Sequence, residues 1–156
     1  MTFSPRTWVV GETVTAAQLN TEIRDQINSL SWVPYTPTLT NVTLGNGNVV
    51  AEYCQQGDLV DVSIILNWGS TTSMSGTPAF SIPVTPRNNN MRWVGDVLIS
   101  PPGTFRDGVA WLYWNGTTIA AGAVDPVAGG VGTFPAAGIT MASGGWIAIN
   151  IRYRST

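Results

Sequence analysis

Chemistry in this chain would have to come from nine carboxylates, one thiol and seven tryptophans, because histidine is absent. General acid–base catalysis ordinarily uses His or a pair of carboxylates whose pKa values are driven apart. The acids here (Glu12, Glu22, Asp25, Glu52, Asp58, Asp61, Asp96, Asp107 and Asp125) are scattered along the sequence. Asp96 and Asp107 could converge across a cleft as a glycosidase pair does. Acids at turns and strand edges that keep the surface soluble are the ordinary reading. One Cys and no His cannot build a zinc site, and no D-x-D-x-D-G spacing supports calcium. No metal and no other cofactor is therefore expected. Cys54 alternates with Val50 and Glu52 on a predicted strand, where a partly buried, inert thiol is expected rather than a nucleophile. As the only cysteine it can form no intrachain disulfide. The glycines fall at turns and make no phosphate-binding motif. The chain reads as a non-enzyme.

The tryptophans are the compositional excess. Trp68, Trp93, Trp111, Trp114 and Trp146 lie on or at the ends of predicted strands. An indole face can stack on a sugar ring while its N–H donates to a hydroxyl, which suits glycan binding. Core packing and subunit contact are the ordinary alternatives. Because Trp111 and Trp114 point to opposite faces of one predicted strand, one of them must face away from the core. Trp93, Trp111 and Trp114, with Arg106 and Asp107 from the loop predicted at 101–108, form the candidate glycan-binding set. The predicted loops at 69–77 and 85–90 are further candidates.

These residues must be positioned by a chain of 156 residues, enough for one domain with an appendage. Charged residues make up 10 %, the net charge is −2, and every basic residue is Arg, with no basic cluster. Nucleic acid is therefore not an expected partner. Polar residues follow Met1 where a secretory leader would be apolar, and no run is long enough to span a membrane. Neither a signal peptide nor membrane insertion is expected, so the Asn-x-Thr sequons at Asn41 and Asn115 carry little meaning.

The one segment that reads as a helix follows an apolar arm at Trp8, Val9 and Val10. Thr15 is a suitable N-cap, and Gln18 completes a capping box. Ala16, Leu19, Ile23, Ile27 and Leu30 recur at steps of three or four, in a stripe close to a coiled-coil seam. Such a helix either packs on its own β-domain or meets copies of itself. From Trp32 onward the period changes to two. Strands are predicted at 38–44, 48–56, 59–68, 80–84 (an edge, because of Pro83), 91–100 (central or at an interface), 109–115, 118–123, 136–142 and 146–154. Hairpins are predicted at Gly45-Asn46-Gly47, Gly116-Thr117 and Ser143-Gly144-Gly145. The expected fold is mainly β: residues 1–31 an arm and short helix, residues 32–156 an antiparallel, jelly-roll-like β-sandwich.

The segment PRTWVVGETVTAAQLNTEIRDQI resembles a motif near the start of minor tail and tail-fibre proteins of bacteriophages, especially those of actinobacteria. WVPYTPTLTNVTLGNGNVVAEYCQQGDLVDVSIIL, leading to SGTPAFSIPV, is similar to the β-domain of such proteins. The likeness covers roughly the first 85 residues. It implies a homotrimeric virion protein at the tail tip, made in the host cytoplasm. The helix stripe would trimerise, the arm would attach to other tail or baseplate proteins, and the β-body would face a host surface polysaccharide. A structural tail adaptor without receptor binding is the alternative. A glycan-degrading tailspike is disfavoured by the scattered acids.

Overall fold

The structure, a computed structural model, describes residues 7–28, 30–88, 90–113, 115–125 and 129–156. The helix starts as expected. Thr15 accepts from the Gln18 amide at 3.2 Å while the Gln18 side chain accepts from the Thr15 amide at 2.8 Å, closing the capping box. An α-helical turn, Ala16–Leu19, leads into a π-helical turn, Asn20–Arg24, and then into a second α-helical turn, Asp25–Asn28. The Asp25 amide donates to the Asn20 carbonyl, five residues back. The sequence gives this wide turn a packing logic. Leu19, Ile23 and Ile27 are spaced by four, and on an α-helix each such step overshoots one turn by about 40°. A turn that holds more residues keeps them nearer one line.

Among the described residues ten strands follow: Val33–Pro34 (β1), Leu39–Thr43 (β2), Asn48–Gln56 (β3), Leu59–Asn67 (β4), Ser73–Ser81 (β5), Arg92–Ser100 (β6), Arg106–Tyr113 (β7), Thr118–Val124 (β8), Val131–Gly132 (β9) and Trp146–Arg154 (β10). They pair antiparallel in the order β1-β3-β4-β10-β6-β7-β8-β5-β2, with β9 on β8. Where two sheets were expected, the strands build one continuous sheet curled into a half-barrel. Chain length forces the curl. β2 and β3 stand seven strand spacings apart along the sheet, about 34 Å if it were flat. The four residues joining them reach at most about 17 Å. The two ends of the sheet must therefore come together.

A second short link, residues 68–72 between β4 and β5, makes the same crossing, and the two links lock on each other. The Asn46 carboxamide oxygen accepts from the Thr71 amide and hydroxyl, both at 2.9 Å, and its nitrogen donates to Ser70 at 3.0 Å. The Thr72 hydroxyl donates to the Leu44 carbonyl. This corrects the predicted hairpin at Gly45-Asn46-Gly47: β2 and β3 do not pair, and the turn is held by the facing loop instead.

The inner face is the core. Val60, Val62, Ile64 and Leu66 of β4 and Ile147, Ile149, Ile151 and Tyr153 of β10 are buried, as their alternation predicts. Each such aliphatic side chain stabilises by roughly 1.5–3 kcal/mol on burial. Residues 136–142 are not the predicted strand. A turn over 134–138, with Pro135 and Gly138, leads through this stretch, and Phe134 and Ile139 drop from it into the core. β5 begins earlier than predicted and is no edge, since it lies between β8 and β2. Its pairing with β2 breaks at Asn41, a left-handed residue (φ 61°) whose side chain bonds the Thr77 carbonyl at 2.9 Å. Pro78, with no N–H to give, falls inside that break. β6 is central as expected, between β10 and β7.

Candidate functional site

Among the described residues, the helix and the outer face of the sheet both carry uncovered apolar surface. The first is the helix stripe: Leu19, Ile23, Ile27 and Leu30 are 44, 47, 60 and 38 % exposed, and Ala16 is exposed as well. Nothing in Ala16–Arg24 is buried. At the helix end the Cys54 thiol donates to the Leu30 carbonyl at 3.1 Å, and Cys54 is buried on the outer side of β3. Trp8, Val9 and Val10 of the arm are exposed too.

The second region is the outer face of the sheet. Alternation along β7 turns Asp107, Val109, Trp111 and Tyr113 outward and Ala110 and Leu112 inward. Trp111 is thus the outward-facing indole anticipated from the sequence. It lies against Gly122 and Val131, and a Cβ on Gly122 would stand 2.9 Å from the indole. Together with Arg92, Val94, Tyr113 and Val131 it lines a shallow depression of about 280 Å³. The Arg92 guanidinium stands 5.1 Å from the Tyr113 ring centroid, a cation–π contact.

Beside it, across β4, β10, β6 and β7, lies a depression of about 460 Å³ lined by Ile65, Asp96, Leu98, Asp107, Gly108, Trp146, Ala148 and Asn150. Register explains the set. Asn150 sits opposite Asp96, and Ile65, Ala148, Leu98 and Asp107 form one cross-strand row. Trp146 is braced by Phe105, ring centroids 6.0 Å apart.

Of the candidate glycan-binding residues, Asp107 and Trp111 share the outer face. Arg106 leaves the opposite side of β7. Trp93 is a correction: it is 9 % exposed, faces inward, and packs on Tyr153 at 6.1 Å, so it belongs to the core. Trp114 lies outside the described residues. The candidate loops divide between the two ends of the sheet. Residues 69–72 and 101–105 lie at the Trp146 end, while Arg87 bonds the Arg154 carbonyl at the other. Residues 73–77 belong to β5.

Sequence reasoning missed the grouping of Trp146, Asp96 and Asn150. Each was visibly outward or polar, but the register that unites them joins strands about fifty residues apart. Asp96 and Asp107 do share this depression, and both are exposed. By contrast Asp61 is held by Arg152 through two bonds, 2.6 and 3.0 Å, which raise the guanidinium's pKa further. Among the described residues there is no group of three or more metal-ligating His, Cys, Asp or Glu side chains. Compared with known proteins, the chain matches no family model, no curated protein and no solved structure.

Proposed function

We propose that this chain is a bacteriophage tail component, a homotrimer that binds a host surface glycan and catalyses no reaction of its own. The observation that carries this is the uncovered helix stripe. Four large apolar side chains left in water by their own β-body are a surface for a partner, and a seam this narrow suits copies of itself. The resemblance of residues 5–27 to the start of phage tail proteins supports the same reading, as does the exposed arm at Trp8–Val10 for attachment to other virion proteins. In the assembled particle the two halves of the curled sheet would act as a jelly-roll-like sandwich, projecting outward. The aromatic outer face, with Trp111, Tyr113 and Trp146, supports glycan recognition.

The structural-adaptor reading draws on Val94 and Val131 around Trp111, an apolar surround that suits a protein neighbour. Adsorption separates the two. The purified protein is expected to bind wall preparations from cells that the intact particle adsorbs to. If the particle adsorbs and the purified protein does not, the receptor reading fails and the adaptor stands.

A further inference from the structure

We propose that the outer-face depression over Ala148 binds a single ring of a non-acidic carbohydrate, a neutral hexose or hexosamine, stacked on Trp146. The proposal rests on the glycan-binding reading above and assigns it a place and a sugar class. Shape comes first. Ala148 lies between Ile65 and Leu98 in the cross-strand row, so a small side chain floors a dip with larger neighbours around it. Its volume of about 460 Å³ falls in the range of small-ligand sites. At one rim Trp146, half-buried and braced by Phe105, offers an indole to the C–H face of a pyranose.

Polar groups are arranged opposite. Asn150 and Asp96 face each other across β10 and β6, and Asp107 stands one strand further, diagonal to Asp96. Ionised carboxylates only accept hydrogen bonds, whereas the carboxamide both donates and accepts. Sugar hydroxyls satisfy all three without leaving an acceptor bare. The charge then selects among sugars. Among the described residues no arginine forms an ion pair with Asp96 or Asp107, whereas Asp25, Asp58 and Asp61 each have one nearby. Two uncompensated negative charges repel a uronate or a phosphorylated sugar and accept an ammonium or a neutral hydroxyl.

The test is retention of the purified protein on immobilised glucose oligomers, glucosamine oligomers and oligogalacturonate at low salt. Retention is expected on a neutral or aminated member, with the acid bound about tenfold more weakly or worse. Trp146→Ala should lose retention with an unchanged melting temperature, and Asp107→Asn should narrow the gap to oligogalacturonate. Retention on the acid alone, none on the neutral and aminated members, or a Trp146→Ala protein that binds like wild type overturns the proposal. So does release of reducing ends, which would make the carboxylates catalytic. If Trp146→Ala still adsorbs to host walls, this site falls while the receptor reading survives.

Discussion

Tyr153 closes one end of the core, with its ring against Trp93 and its hydroxyl donating to the Val84 carbonyl at 2.7 Å. Burial raises its phenol pKa above the ordinary value near 10, and burial does the same for Tyr35. The folded state thus keeps protons that the unfolded chain surrenders near pH 10. The stability linked to these phenols is fully present below that pH and is lost as pH rises above it. Circular-dichroism melts between pH 8 and 11 should show this decline. Tyr153→Phe should cost about 1 kcal/mol at neutral pH, from the lost hydrogen bond, and flatten the alkaline decline. Equal alkaline slopes in wild type and Tyr153→Phe would refute the assignment. At this scale the sequence was partly legible. Alternation required one of Trp111 and Trp114 to face outward, and the structure turns Trp111 that way. The inward turn of Trp93 did not follow from alternation, because β6 also presents Val94 and Leu98 outward, and a strand apolar on both faces does not announce which one is core.

Among the elements, β6 and β10 part company at Gly95. Their pairing runs from Ser100 opposite Trp146 down to Asp96 opposite Asn150 and ends there. A Cβ at Gly95 would press on the backbone of Asn150 and Ile151, neither of which can swing aside as a flexible side chain does. Gly95→Ala should therefore cost about 1–3 kcal/mol through overpacking, read as a lower urea midpoint with an unchanged slope. An unchanged midpoint would mean that the strands can spread at no cost. Strands with clean alternation, β3, β4 and β10, were legible to within a residue of their ends. The failures share a cause. A Gly-Asn-Gly turn serves a hairpin or a link between distant strands equally well, and only long-range contacts such as Asn46 with Thr71 decide. Likewise the Ser/Thr-rich run in β5 reads as a loop by composition, but two neighbouring strands recruit part of it into the sheet.

Considered as a whole, the molecule is a curled sheet whose core owes nothing to the helix. The proposed trimer can therefore be dissolved without harming the β-body. Ile23→Asp with Ile27→Asp, both exposed, should convert a trimer to a monomer in light scattering while the thermal transition of the sheet stays within a few degrees. A wild-type monomer at micromolar concentration would remove the self-associating helix from the account. The division into helix and β-rich body was legible because hydrophobic period changes from near four to two around Trp32. The curl was not, because strand order is set by contacts between distant segments rather than by pattern.

The position of β10 has a consequence for how the protein is made. The last strand in the sequence fills the middle of the sheet, between β4 and β6, each already committed on its other side to β3 or β7. During synthesis β4 and β6 cannot gain the neighbour they share until residues 146–154 emerge. Such late, non-local closure slows folding and prolongs exposure of sticky edges. In the proposed trimer the helix, which precedes the sheet in the sequence, would gather sister chains while their bodies are still unfinished, and crowding of incomplete sheets would be the hazard that a chain with only 10 % charged residues does least to prevent.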